Sequence, residues 1–477
     1  QVDLFRKFLD VFLTEKQLDT FMKKTPDSYG NLMVDGDGLL YTINIGEHAY
    51  IQKHSMNGSK VTGLEDKQQQ LEFVVDIAMD TDGNMFALDK EGHVVEMTSE
   101  GIWLCVFGNL VDKSDRVGLF ETPSGVGVDE SGNLYILDKT RNMIQKFTPT
   151  VSQEQIHKAI STYNSGDYKT AGDIFSQILK TNESSSYAHF YMGRIEMYNQ
   201  NYTTAAEHFK VSYARKEYSE AFWEIRNQWL IGNMKYIVGI VGILLIFIRL
   251  CRTYFKSFNI GFFKSNLRMR NLRFCKDFSW LKEEIKHPID NAYEISIDNR
   301  GNYATSTFIY LLVFVCFTVY RLCSGFIFSA TIEDFPLLVY LGGYVATLAL
   351  LLVGNTLISS IQDSRGTFKS IFVSTSYSMV PLLIAFPIMT VLNNLFTYNE
   401  QFICQLILIV AIIWTVVIFT LAQLKVHDYS FGKFVKIIFF TIVFMLVAIL
   451  LISLFYLLAQ QIVDFVLQVY TEVMIRD

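Results

Sequence analysis

The sequence predicts a multi-domain chain in three parts: partial all-β blades, α-helical hairpins, and an all-α polytopic membrane domain of one plus five transmembrane helices. Three observations carry this. Five apolar segments of about 20 residues lie between Tyr303 and Leu458, with hardly a charge inside them; a bilayer core about 30 Å thick demands such segments and a soluble core does not. Three hairpin-like stretches recur at spacings of about 45 and 49 residues. A Tyr, Ala, Phe triplet recurs after 34 residues.

Composition narrows the function classes. The chain has 477 residues, enough for several domains, and 51 % of them are hydrophobic. A net charge of −6 offers no globally basic surface to release counterions, so nucleic acid is not an expected partner. The six cysteines, Cys105, Cys251, Cys275, Cys316, Cys323 and Cys404, are scattered without CxxC spacing, which points to neither a disulfide framework nor a zinc site.

Residues 1–27 place Leu4, Phe5, Phe8, Leu9, Phe12 and Leu13 at helical spacing and predict an amphipathic helix. Residues 28–150 are β in pattern. The stretches from Asn31, Asp76 and Gly125 each join an alternating apolar strand to a second strand through an Asp-x-x-Gly turn. Gly38, Gly83 and Gly132 hold the same turn position, where positive φ is cheap only without a Cβ. Asp80, Asp82 and Asp129 lack the ligand spacing of a calcium loop, so Asp80 and Asp129 are assigned to the turns and no metal is expected.

The third copy, with Phe107-Gly108, Gly118, Phe120, Pro123-Ser124-Gly125 and Asn142-x-Ile144-Gln145, resembles a blade of an NHL-repeat β-propeller. The resemblance implies a binding platform for glycan or protein. Three repeats cannot close a propeller of four or more blades, so further blades are expected upstream of Gln1.

In residues 151–232, Tyr168, Ala171 and Phe175 recur as Tyr202, Ala205 and Phe209, and Gly166-Asp167-Tyr168 matches Gln200-Asn201-Tyr202. With Gly193 at the small position, this resembles two tetratricopeptide repeats closed by a capping helix from about Tyr218 to Leu230. Such a pair serves as a peptide groove or as a rigid stalk. Residues 233–251 form a first span.

Between that span and the next, residues 252–303 concentrate basic side chains: Arg252, Lys256, Lys264, Arg268, Arg270, Arg273, Lys276, Lys282, Lys286 and Arg300. Arg365, Lys369, Lys425, Lys433 and Lys436 fall on the same side, whereas the loops at Glu333-Asp334 and Thr397–Glu400 carry no Lys or Arg. The positive-inside rule puts the basic loop in the cytoplasm, and the N-terminal modules and C-terminus outside. Anionic lipid accounts for the loop's charge. Residues 459–477 repeat Ile462, Val463, Phe465, Val466, Val469 and Tyr470 on one face, an amphipathic helix for the outer leaflet or a partner subunit.

The polar pieces of residues 304–458 and their approach are the most informative. KHPIDNAYEISIDNRGNYATS contains Pro288 and Gly301; SRGTFKSIFVSTSYSMVPLLI contains Gly366, Phe368, Tyr377 and Pro381; VHDYSFGKFVKIIFFTIVFMLV contains His427, Tyr429, Phe431, Gly432 and Lys433. These three stretches resemble the motifs of bacterial Yip-type membrane domains. Pro288 and Pro381 read as helix breakers and Gly432 as a turn into the last helix. His427 reads as a hydrogen-bonded histidine rather than a pH sensor or metal ligand. Arg321, the charge lodged in an apolar run, pairs with Glu333 or Asp334 or snorkels to the surface.

No nucleophile–base constellation, HExxH, phosphate loop or dinucleotide fingerprint occurs, so neither an enzyme nor a cofactor is expected. The resemblance, in its Gram-positive form with extracytoplasmic propeller and tetratricopeptide segments, implies a scaffold accessory to a carbohydrate ABC importer. Its partners would be permease subunits, a substrate-binding protein or glycan, and lipid. A receptor for an extracellular ligand and a stand-alone transporter remain as alternatives.

Overall fold

The computed structural model describes residues 29–36, 38–44, 51–61, 71, 73–111, 116–255, 288–297, 301–329, 335–362 and 365–476. The helix expected over 1–27, most of the basic loop, and Glu333 and Asp334 lie outside them. The chain divides into two units, up to Ala214 and from Arg215 onward.

The first unit opens with antiparallel meanders. One sheet is β1 (Tyr29–Val34), β2 (Leu40–Asn44), β3 (Ile51–His54) and β4 (Lys60–Val61) in that order. A second is β5 (Val74–Met79), β6 (Met85–Asp89), β7 (Val94–Met97) and β8 (Trp103–Phe107). A short parallel pair, β9 (Asn109–Leu110) with β10 (Leu119–Phe120), precedes a third sheet of β11 (Pro123–Val128), β12 (Leu134–Asp138) and β13 (Met143–Phe147). These sheets are open. The first hairpin of each of the three sheets closes on a tight Asp turn: the Gly38 N–H donates to the Asp35 carbonyl at 3.1 Å, Asp80 Oδ1 accepts from the Asp82 and Asn84 amides at 3.0 and 2.7 Å, and Asp129 Oδ1 from Ser131 and Asn133 at 2.9 and 2.8 Å. Gly83 and Gly132 then take φ +84° and +75°; a Cβ would meet nothing within 4 Å at Gly83 and only Pro149 Cγ at 3.8 Å at Gly132, so backbone conformation rather than space selects glycine.

The sheets pack side by side. Tyr41, Ile43 and Ile51 of the first share a core with Val74, Ile77, Met85 and Met97 of the second. Phe86, Leu88 and Val94 share another with Phe120, Leu134 and Ile136. Asp76 ties all three sheets: its carboxylate accepts from the Asn31 amide side chain and, at 2.8 Å, from the Val126 N–H.

Among the described residues of this unit, four helices follow the sheets: α1 (Val151–Asn164), α2 (Tyr168–Thr181), α3 (Ser186–Tyr198) and α4 (Tyr202–Val211). The repeated Ala171, Phe175, Ala205 and Phe209 are all buried, at the spacing that puts them on one helix face. Gly193 lets the Phe209 ring lie where a Cβ would stand, 2.6 Å from its nearest atom.

The second unit is helical. α5 (Arg215–Phe255) is followed by α6 (Pro288–Ile297), α7 (Tyr303–Cys323), α8 (Leu337–Ile361), α9 (Phe368–Ser378), α10 (Val380–Asn393), α11 (Gln401–His427) and α12 (Phe431–Arg476). Among the described residues, six stretches are long and apolar enough to cross a membrane: 215–250, 303–323, 337–361, 368–393, 398–427 and 431–463. This is a multi-pass membrane protein. Two boundaries differ from the sequence reading. The capping helix and first span are one 41-residue helix, and the last span and tail are one 46-residue helix. No Pro or positive-φ Gly interrupts either, so nothing in the backbone forces a break.

The span formed by α9 and α10 lies deepest. It breaks at Met379, where Pro381, second in α10, has no N–H to continue the ladder. Ser374, Ser376 and Ser378 return their hydroxyls to carbonyls three residues back, at 3.1, 2.7 and 2.7 Å, so these small side chains are buried without stranded donors. Small residues let neighbouring helices approach closely.

The turns before α2 and α4 allow a clean test. Gly166 takes φ +88° and Gln200, at the matching position, takes +64°. Left-handed backbone costs a residue with a Cβ roughly 1–2 kcal/mol, part of which glycine returns in unfolded-state entropy. Gln200→Gly is therefore expected to raise the denaturation midpoint of the purified chain, by up to about 1 kcal/mol. Gly166→Ala, with nothing within 4 Å of the new Cβ, should lower it by a similar amount. Equal midpoints for all three proteins would refute this account of the turns.

Candidate functional site

Two of the three polar motifs meet at one end of the membrane bundle. Gly366 lies against the His427 ring so closely that a Cβ would stand 2.4 Å from Nδ1. The ring stacks on Tyr429, centroids 4.9 Å apart and 7° from parallel. Lys433 Nζ stands 4.7 Å from the Tyr429 ring centroid and donates to the Gln362 carbonyl at 2.8 Å. The cation thus caps the C-terminus of α8 while its charge faces a π-surface.

Beneath this stack runs a buried polar chain. Asn355 Nδ2 donates to Gln423 Oε1 at 2.9 Å, and Gln423 Nε2 to Ser374 Oγ at 3.3 Å. Ser359 Oγ donates to Asn355 Oδ1 at 3.2 Å. His427 Nε2 lies 3.0 Å from Gln423 Oε1; an amide oxygen only accepts, so the network assigns the proton to Nε2. All five side chains are almost wholly buried. Together they fasten α8, α9 and α11. His427 is thus hydrogen-bonded, and this chemistry is that of positioning.

Gly432 is not the turn into the last helix. It is the second residue of α12, in open space, and the reversal is made by Asp428 at φ +55°. An Asx side chain tolerates that left-handed position better than other residues do. Arg365 reaches Asp428 at 3.4 Å, an exposed pair of little energetic value.

The remaining motif residues are spread more widely. Pro288 starts α6. Gly301, at φ +91°, presses against Val373, whose Cγ1 a Cβ would meet at 2.5 Å. Tyr377 and Val373 share a core with Ile295, Ile309 and Val380. Phe368 begins α9, its ring 6.1 Å from Phe372, and Phe431 is exposed at the start of α12.

At the opposite end, Arg226 of α5 clamps Glu400 with two hydrogen bonds of 2.7 and 2.8 Å and donates to the Leu395 carbonyl at 2.7 Å. The Tyr398 N–H donates to Ser219 Oγ at 3.0 Å. Arg321, in the last turn of α7, belongs to this end too, because Tyr398 lines the same cavity.

In the first unit, Asp80, Asp82 and His157 are the one trio among the described residues able to hold a metal ion, their ligand atoms lying within 4.8 Å of one another. The Asp80 carboxylate is already committed to its turn, and Asp129 makes the same bonds in the third sheet, so the turn explains its orientation. His157 Nε2 makes a short hydrogen bond to buried Glu96, which Gln153 also contacts at 2.6 Å. Burial works against charge on this imidazole, but Glu96, then Asp80 and Asp82, outweigh it and raise its pKa. Cys105 beside Glu96 is pushed up to about 12 by burial first and the carboxylate second, which disfavours its thiolate.

Asn355, Ser359, Ser374 and Gln423 are absent from the motif reading. Their signal was present: Asn355/Ser359 and Gln423/His427 are i, i+4 polar pairs inside apolar spans, and polar groups at such depth must face one another.

Two tests follow from this geometry. Gln423→Leu removes the acceptor shared by Asn355 and His427 and is expected to cost about 1–3 kcal/mol. Thr420→Val, whose hydroxyl bonds back to Val416 on an exposed face, should shift the thermal midpoint in detergent by less than about 0.5 kcal/mol equivalent. Equal effects would remove the network from the account. For His157, a raised folded pKa means that the stabilisation is fully present below the unfolded value of about 6.5 and is lost as pH rises through the folded value. Hydrogen exchange in α1 should therefore quicken, beyond its intrinsic rate, between neutral and alkaline pH. His157→Gln should abolish that dependence; a slowing with pH would contradict it.

Comparison with known proteins adds the following. No curated protein matches the chain. A streptogramin B lyase structure is 16 % identical over 26 % of this chain and 39 % of its own, with a TM-score of 0.20. A protein of unknown function from Bacteroides caccae is 17 % identical over 26 % of this chain and 47 % of its own, at 0.17. The chain thus spans less than half the length of each. Residues 285–454 match the Yip1 domain, and with the membrane-length helices they fit an integral membrane Yip-type domain.

Proposed function

We propose that the chain is a non-catalytic scaffold of a larger membrane complex, accessory to a bacterial carbohydrate ABC importer. The observation that carries this reading is the uncovered length of α12. Large apolar side chains stand exposed along it from Val435 to Phe465. At 1.5 Å per residue that surface is about 45 Å long, and a typical tilt of about 20° shortens it only to about 42 Å. The hydrocarbon core is about 30 Å thick, so lipid alone does not cover it. In this reading the excess, which lies outside the hydrocarbon core, is covered by a partner protein.

The importer itself comes from the family resemblance. In this reading Arg365, Lys369, Lys425, Lys433 and Lys436 face the cytoplasm, and the end holding Glu400 faces outward. The three β-sheets are NHL-type propeller blades and the four helices tetratricopeptide hairpins, both extracytoplasmic. Their role is to hold a substrate-binding protein or glycan near the permease.

Mild-detergent purification from native membranes, with mass spectrometry of the co-eluting chains, tests the proposal. Permease and ATPase subunits at near-equal stoichiometry are expected. A chain that elutes alone would sink the scaffold reading.

A further inference from the structure

Arg321 lines a cavity of about 290 Å³ between α7, α10 and α11, at the low end of ligand-sized volumes. An arginine inside a membrane bundle needs an anion or a wet surface. Among the described residues no ion pair to it forms, and Glu400, the described acid nearest in sequence to the cavity's Tyr398 and Gln401, is already held bidentately by Arg226. The groups sharing the cavity are donors rather than acids: the Gln401 and Gln405 amides and the Tyr398 hydroxyl. Phe328 and Leu408 supply an apolar wall.

We infer that this cavity binds a phosphate group through Arg321, with the apolar wall taking the stem of an anionic amphiphile. The planar guanidinium matches two phosphate oxygens at once, and the amides can donate to the others. With no acid paired to it among the described residues, the Arg321 cation disfavours choline-like and ammonium groups, so a net-anionic headgroup is preferred over a zwitterionic one. Bound phosphate would also stiffen the turn 398–400, whose members hold Ser219 and Arg226 of α5.

The test uses the full chain in nonionic detergent. Its thermal midpoint is titrated with phosphatidylglycerol, phosphatidylcholine and inorganic phosphate. Phosphatidylglycerol is expected to raise the midpoint by several degrees and phosphatidylcholine to leave it unchanged. Arg321→Gln should raise the half-saturating phosphatidylglycerol concentration at least tenfold. Arg321→Lys, which keeps the charge but loses the fork, should fall between, and serves if the glutamine variant does not fold. Arg365→Gln, at the other end of the bundle, controls for general attraction of anionic lipid and should behave as wild type. A response to phosphatidylglycerol without one to inorganic phosphate identifies a lipid headgroup; equal responses identify free phosphate. Equal shifts with both lipids, or an undiminished response in the Arg321 variants, would overturn the inference.

Discussion

A polar group inside a bilayer has no water to fall back on, and the membrane unit is arranged around that constraint. Gln423 is its focus. One carboxamide takes hydrogens from Asn355 and His427 and gives one to Ser374, so three helices meet at a single side chain. Each such bond is worth little alone, about 0.6 kcal/mol on average between membrane helices. Their value lies in direction: the register of α8 against α11 is set by which amide faces which. A purely apolar seam would permit slippage; this one does not.

The same constraint explains why α9 is serine-rich and central. Leucines there would hold α7 and α11 apart. Hydroxyls that bond to their own helix cost little to bury and leave room for close approach. The glycines act at the same contacts. Gly354 admits Phe444 of α12, Gly301 admits Val373, and Gly366 admits the His427 ring. Their value is the volume they leave empty, which is why motif residues far apart in the chain are small on one partner and large on the other.

Much of the fold was legible because periodicity reports on burial. The Tyr, Ala, Phe repeat located the helix face that is buried, and the Asp-x-x-Gly spacing located three hairpin turns. Asp76 was not legible: a strand aspartate reads as solvent-facing, and only the juxtaposition of three sheets gives its carboxylate the Asn31 and Val126 donors. Within the site, Gly366, His427, Tyr429 and Lys433 were visible as motif residues, but that two separate motifs form one stack was not. Asp428 was missed for a different reason. Glycine is the usual left-handed residue, so attention went to Gly432, whereas an aspartate four positions earlier makes the turn.

The two ends of the bundle solve opposite electrostatic problems. At one, Lys433 and Arg365 are placed on a carbonyl, a ring and an exposed carboxylate, contacts that leave their charge facing outward. At the other, Arg226 spends its whole fork on Glu400 and a carbonyl, so a single helix, α5, is pinned by its polar stretch. Its apolar stretch beyond Tyr236 is left exposed. The clamp therefore fixes the position of α5 against the 395–400 turn, and the stretch beyond it presents the long exposed apolar face that a membrane span requires.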